Sequence, residues 1–210
     1  MLSARPPRGT QMLQPVTIVR EARLEGAEGA LKRAAVLVTG MSGTGKSTAL
    51  AELASRGHRV VDTDDPGWIV EIQTRDGPEP VWDLDRVGAL LDRHRAGWLF
   101  VAGCVANQRR LYDRFDAVVL LSAPVEEDLD RVAERANPFG STSEERAKIA
   151  SDAAIYEPAL RAGADHEIVT TVPVAEVAAR LEQVAAAALS DDAARNSAQR
   201  RRSPPAAASD

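Results

Sequence analysis

The segment Gly40-Met41-Ser42-Gly43-Thr44-Gly45-Lys46-Ser47-Thr48 constrains this chain more than any other. It follows the apolar run Ala34-Ala35-Val36-Leu37-Val38-Thr39, which reads as a strand buried on both faces. It precedes a helical stretch from Lys46 to Arg56 that stops near Gly57. Strand, glycine-rich turn and helix together satisfy G-x-x-x-x-G-K-[ST] in the context that pattern requires. The glycines let the backbone curl until successive N–H groups face one concavity, and the helix start adds its positive dipole end there. Lys46 can reach β- and γ-phosphates as a point charge, and the Ser47 hydroxyl can ligate Mg²⁺. Residues Gly40 to Thr48 therefore predict a site for the phosphates of a nucleotide.

Around this loop the chain alternates in kind. Arg59-Val60-Val61, Trp98 to Ala102, Ala117 to Leu121 and His166 to Thr171 read as further short strands. Helical patterns cover Asp83 to Arg95, Asn107 to Arg114, a stretch from Pro124 to about Arg135, Thr142 to Leu160, and Val174 to Leu189. Pro66, Gly67, Pro78 and Pro80 break the region between the second strand and Asp83, where Trp68 to Thr74 is expected to form a short helix. Five strands with helices between them predict a three-layer α/β sandwich around a parallel sheet, spanning residues 34–189. Residues 1–33 read as a flexible extension. Residues 190–210, rich in Ala, Ser, Pro and Arg, read as a disordered tail whose Arg200-Arg201-Arg202 is a solvated charge run.

Composition narrows the partners. The chain has 210 residues and a net charge of −5. The central 34–189 segment holds 16 Lys/Arg against 25 Asp/Glu, a net of −9. An acidic core argues against an extended nucleic-acid footprint, which needs a basic face. No stretch is apolar enough to predict a membrane span, and the Arg-rich start lacks the apolar region of a secretory signal. One cysteine, Cys104, excludes an internal disulfide framework. A cytoplasmic monomer or homodimer is the expectation.

Asp62-Thr63-Asp64 stands at the end of the second strand, with Asp65 adjoining. In a parallel sheet ligands gather at the carboxyl ends of strands, so the loop and these acids can face one crevice. Residues two apart in an extended segment point the same way. One carboxylate could hold Mg²⁺ through water, and the other could take the proton of an attacking hydroxyl. The competing reading is a turn in which aspartates accept backbone N–H bonds ahead of Pro66.

At this point the chain resembles the small P-loop kinases of the nucleoside monophosphate kinase, shikimate kinase and gluconate kinase group. The resemblance covers residues 34–189 and rests on Gly40 to Thr48, Asp62-Thr63-Asp64, Phe100-Val101-Ala102-Gly103 and Leu129-Asp130-Arg131-Val132-Ala133-Glu134-Arg135. It implies a five-stranded parallel sheet in the order 2-3-1-4-5, a substrate-binding helical region after the second strand, and a mobile lid over about residues 135–146. It implies ATP and Mg²⁺ as ligands, with Asp62 assisting the metal and Asp64 touching the acceptor. Arg131 would stack near the adenine, and Arg135 would swing onto the transferring phosphoryl group, with Arg146 as a lower-ranked substitute. The group's shikimate kinases lack a Walker B acid, and here Gly103-Cys104 likewise follows Phe100 to Ala102.

Departures matter too. Aligning the R-x-P-x-Y element of shikimate kinases on Tyr156 puts Asp152 where its arginine should stand, with Pro158 after the tyrosine, so shikimate is disfavoured. Arg75, Arg109 and Arg110 are candidates for holding an acceptor phosphate but lack a diagnostic spacing. Trp68 and Trp82 could stack a ring or sugar, with the core reading preferred. His58, His94 and His166 form no metal-ligand spacing and read as surface or hydrogen-bonding residues. Cys104 reads as a packing thiol. Asp83, Asp85 and Asp92 read as an acidic helix start and a solvated face. The expected function is transfer of the ATP γ-phosphate to a small-molecule hydroxyl. A nucleoside or nucleotide kinase and a nucleotide-binding regulatory ATPase are the alternatives.

Overall fold

The computed structural model describes residues 32–75, 77–124 and 142–202. Its elements run β1 (Arg33–Thr39), α1 (Lys46–Ser55), β2 (Arg59–Asp62), β3 (Ile69–Thr74), β4 (Gly77–Trp82), α2 (Leu84–Arg93) and β5 (Gly97–Ala102). A 3₁₀ helix (Gln108–Arg114) follows, then β6 (Ala117–Ser122), α3 (Ser143–Gly163), β7 (His166–Val169) and α4 (Val174–Arg202). Five strands form one parallel sheet in the order β2-β5-β1-β6-β7, while β3 and β4 pair only with each other. Counted within the parallel sheet alone, the order is 2-3-1-4-5, as the resemblance implied.

The central strand explains why its sequence is uniformly apolar. Ala34, Val36 and Val38 point to one face and pack with Ala49, Leu50 and Leu53 of α1 and with Val177, Ala178 and Leu181 of α4. Ala35 and Leu37 point to the other and pack with Val87, Leu90 and Leu91 of α2 and Leu111 of the 3₁₀ helix. Both faces are covered, so period-2 alternation disappears. Asp83 caps α2 by accepting from the Arg86 N–H at 3.1 Å. His94 is a buried hydrogen-bonding residue, its Nε2 lying 3.2 Å from the Ala34 carbonyl and 3.0 Å from that of Gly97. His58 joins α1 to α4, with Nε2 2.8 Å from a Glu182 oxygen whose partner oxygen takes Arg56 Nη1 at 2.9 Å.

Three expectations need correction. Trp68 to Thr74 is not a helix: β3 and β4 make an antiparallel hairpin from Ile69 to Trp82, and the helical region after the second strand starts only at α2. Ile69, Val70, Ile72 and Thr74 are β-branched and favour extended backbone. Pro78 and Pro80 sit in β4 without breaking it, because two residues apart they place their missing N–H groups on the edge away from β3. Asn107 to Arg114 winds as a 3₁₀ rather than an α-helix, with Gln108 N–H on the Val105 carbonyl and Arg110 N–H on that of Asn107. Finally, the segment expected as a disordered tail from 190 continues α4 to Arg202. It holds no Gly or Pro before Ser203-Pro204, and its alanines, arginines and glutamine are good helix formers. No helix among the described residues is long and apolar enough to cross a membrane.

Candidate active site

The strand registers decide what meets at the sheet's carboxyl edge. Val38 of β1 and Asp62 of β2 both stand beside Ala102 of β5, so the phosphate-loop pattern and the acids emerge at one level. β5 separates them, a spacing of about 10 Å across two strand intervals. Gly40 leaves β1 with φ +150°, and a Cβ there would press on the Leu121 carbonyl and lie 2.8 Å from Thr44 Oγ1. Gly43 and Gly45 adopt φ of 100° and 87°, a left-handed backbone that closes the loop onto α1. Thr44 braces the turn by donating Oγ1–H to the Met41 carbonyl at 2.9 Å.

Helix α1 begins at Lys46 after Gly45, a cap residue with no side chain, and its first turn holds no acid. A helix start leaves N–H groups without intrahelical acceptors, and neither the cap residue nor the first turn of α1 supplies a side chain that takes them. Lys46 is buried, with Nζ donating to the Gly40 carbonyl at 2.6 Å and the Met41 carbonyl at 3.0 Å. Its ammonium thus lies along the rim of the cradle.

Opposite, the two acids divide. Asp62 Oδ2 accepts from Ser47 Oγ at 2.8 Å, and Asp62 Oδ1 accepts from the Asp64 N–H at 3.1 Å. Asp64 turns into a cleft of about 210 Å³ lined by Met41, Ser42, Gly43, Gly45, Lys46, Ser47 and Cys104. Crowding at the cleft mouth pushes the Asp64 pKa above the ordinary carboxylate value; desolvation is the main cause, Asp62 and Asp65 add repulsion, and Lys46 opposes. Asp62 thus accepts a backbone N–H, as the turn reading expects, and also faces Ser47.

The Ser47 hydroxyl and Asp62 carboxylate form a hard-oxygen pair of the kind that suits Mg²⁺, which takes one or two protein oxygens and completes its shell with water and phosphate. Among the described residues no group of three or more His, Cys, Asp or Glu could hold a metal by itself. The donor set fits a metal that arrives with a nucleotide.

What holds the acids was missed by sequence reasoning. Thr63, between them, is fully buried and donates both its N–H (2.9 Å) and Oγ1–H (2.8 Å) to the Ala102 carbonyl. Trp82 Nε1 donates to Thr63 Oγ1 at 2.9 Å. A Cβ on Gly103 would meet Thr63 Oγ1 and lie 2.8 Å from Trp82 Cζ2. That closeness explains the glycine after β5. Asn107 brackets Trp82, accepting its N–H at 3.0 Å and donating to its carbonyl at 2.9 Å. Below the loop, buried Gln108 donates to Thr39 Oγ1 and to Tyr112 Oη, both at 3.0 Å. An indole at the end of β4 and two amides at the start of the 3₁₀ helix offered the signal.

Other candidates fall elsewhere. Trp82 is core, as preferred, while Trp68 is half-buried beneath the Arg86 guanidinium, 4.9 Å from the ring centroid. Cys104 is half-buried and lines the cleft rather than packing in the core. Arg75, Arg109 and Arg110 are exposed and do not line the cleft. Tyr156 is exposed and Pro158 lies inside α3. Arg131, Arg135 and most of the expected lid lie outside the described residues, and Arg146 falls in the first turn of α3.

Comparison with known proteins agrees with this geometry. The family model described as an AAA domain matches residues 36–156, more than half of the chain. Shikimate kinase from Acinetobacter baumannii, solved in complex with shikimate, superposes with a TM-score of 0.52 at 23% identity, over 72% of this chain and 92% of that one. Shikimate kinase from Bacteroides thetaiotaomicron gives a TM-score of 0.49 at 13% identity, over 72% and 97%. A protein from Thermus thermophilus gives 0.49 at 21% identity, over 73% and 97%. No curated protein matches the chain in sequence. With its phosphate loop, its parallel sheet and this match, the chain belongs to the AAA domain family and has the fold of the small P-loop kinases.

Proposed function

We propose that the chain is an ATP-dependent phosphotransferase that moves the γ-phosphoryl group of ATP to a hydroxyl of a small-molecule acceptor. The observation that carries this reading is the shared cleft of Lys46 and Asp64, an ammonium on the phosphate cradle and a carboxylate with a raised pKa. A second acid there, beyond the one beside Ser47, is placed to take the proton of an attacking hydroxyl; an attacking water would use it in the same way, so acceptor dependence is what separates transfer from hydrolysis.

In this reading the triphosphate lies along Gly40 to Thr48, its charge met by loop N–H groups and the start of α1. Lys46 exchanges the carbonyls of Gly40 and Met41 for β- and γ-phosphate oxygens. Ser47 and Asp62 would hold Mg²⁺, which when bound neutralises charge on the β- and γ-phosphate oxygens. Asp64 accepts the hydroxyl proton as the acceptor oxygen bonds to the γ-phosphorus. The bond from that phosphorus to the β–γ bridging oxygen breaks, and its electron pair leaves with ADP. Arg135 on the transferring group and Arg131 against the adenine follow from the family resemblance, with Arg146 as substitute.

A nucleotide acceptor ranks second, because its phosphate needs a guanidinium and none of the described cleft residues is an arginine. The test is ADP release by purified protein with Mg²⁺ and ATP against pooled alcohols, sugars, nucleosides and nucleotides. One pool should raise release over the acceptor-free rate, and Lys46→Ala should remove the rise. Slow release that no pool changes would instead support a regulatory ATPase.

A further inference from the structure

We infer that Thr63 and Trp82 are positioning residues that set the two acids toward the phosphate loop, an inference resting on the reading of Ser47 and Asp62 as Mg²⁺ ligands. The strand β2 ends at Asp62, and nothing in the covalent chain decides how Asp62 and Asp64 then face. Thr63 decides it. Its N–H and hydroxyl both end on one acceptor, the Ala102 carbonyl, and its oxygen accepts the Trp82 indole N–H. The hydroxyl both donates and accepts in fixed directions, so a single rotamer satisfies the two bonds together. With the rotamer fixed, the peptides on either side are fixed, and these carry Asp62 onto Ser47 and Asp64 into the cleft.

Packing alone would not call for this arrangement. An isopropyl group would fill the volume of the Thr63 side chain without desolvating a hydroxyl, and would ask nothing of the indole N–H. What the polar pair adds is direction, since a buried hydrogen bond penalises every orientation that leaves it unmade. Trp82 is itself fixed at its backbone by both ends of the Asn107 amide. The chain of contacts from Asn107 through Trp82 and Thr63 to Ala102 ties the hairpin and the segment after β5 to the acid pair. Groups bonded directly to a metal-ligating side chain commonly alter metal affinity by ten- to a hundredfold, and Thr63, which acts on Asp62 through the backbone it fixes, belongs at the lower end of that range.

The experiment compares ATP affinity by calorimetry with Mg²⁺ and with EDTA, in wild type, Trp82→Phe, Thr63→Val and Thr63→Ser. Metal-free affinity should be unchanged throughout, because the phosphate loop is untouched. The gain in affinity on adding Mg²⁺ should fall about tenfold in Trp82→Phe and Thr63→Val and return in Thr63→Ser, which keeps the hydroxyl. Retention of the full gain in both, or equal loss with and without the metal, would overturn the inference. The two threonine variants decide the matter if Trp82→Phe does not fold. Wild-type protein that binds no ATP would overturn the proposed function as well, and wild-type protein that binds ATP without a metal gain would remove the metal assignment and this inference with it.

Discussion

Replacing Lys46 by alanine removes the charge on which the proposed chemistry turns, and its cost can be worked from the contacts. An ammonium about 4 Å from a phosphate charge, at an effective dielectric of about 20, gains about 4 kcal/mol. Lys46 must first give up its bonds to the Gly40 and Met41 carbonyls at 2.6 and 3.0 Å. Bonds from a charged donor contribute about 1.5 kcal/mol each at the lower end, which offsets most of that gain. Lys46→Ala should therefore weaken binding of a non-hydrolysable ATP analogue with Mg²⁺ by about 1 to 4 kcal/mol, or roughly five- to a thousandfold. Calorimetry on folded variant and wild type measures it. A second readout follows, because Lys46 pulls the Asp64 pKa down. In Lys46→Ala the Asp64 carboxyl should titrate higher still, as carbon NMR of labelled aspartate would report. Unchanged affinity, or an Asp64 titration that moves down, would refute the argument.

Asp64→Asn should cut phosphoryl transfer by about 10² to 10⁴ yet stabilise the fold near neutral pH. Asp64 titrates above its unfolded value, so ionising it costs the native state stability as pH rises from the ordinary carboxylate range through the raised pKa; melting curves of variant and wild type should coincide in acid and diverge in favour of the variant above that window. Glu167 behaves oppositely. Arg161 and the Ser122 hydroxyl hold its pKa down at about 2, so its contribution is present above the unfolded value near 4.5 and is lost as pH falls toward 2. Because the Arg161 pair is partly exposed, Glu167→Gln should cost only about 1 kcal/mol at neutral pH by urea denaturation, and the cost should shrink steadily as pH falls through the acid range toward the Glu167 pKa. Gly40→Ala should cost about 1 to 3 kcal/mol and abolish nucleotide binding, since its Cβ meets the Leu121 carbonyl and its φ is +150°; a variant that binds ATP as wild type does would show that the loop tolerates the side chain.

Much of the architecture could be read before any coordinates, for identifiable reasons. The strand from Ala34 to Thr39 has no polar alternation because helices cover both its faces, and that lack is itself the signal of a central parallel strand. Gly40 to Lys46 announces itself because backbone curvature, close approach and charge each demand one residue type. Asp62 and Asp64 were found for the same reason: few other residues place two carboxylates at a strand end. The hairpin was misread because Pro78 and Pro80 count against a strand unless the outer edge of β4 is known to be free of pairing, which is a fact of topology rather than of local propensity. Thr63, Trp82 and Asn107 escaped because their roles exist only in contacts between segments 19 to 39 residues apart. The continuation of α4 to Arg202 was hidden by composition, since alanine and arginine suit a solvated tail and a helix equally well.

The measurement that bears most directly on phosphotransfer uses ATP labelled with ¹⁸O at the γ-phosphate, incubated with the protein, Mg²⁺ and the acceptor pool that stimulates ADP release. Phosphotransfer predicts, by mass spectrometry, an organic phosphate ester carrying the labelled non-bridging oxygens with its bridging oxygen from the acceptor, formed at least a hundredfold more slowly by Asp64→Asn and not above background by Lys46→Ala. Label recovered only in inorganic phosphate, at a rate indifferent to the acceptor and to Asp64, would contradict it.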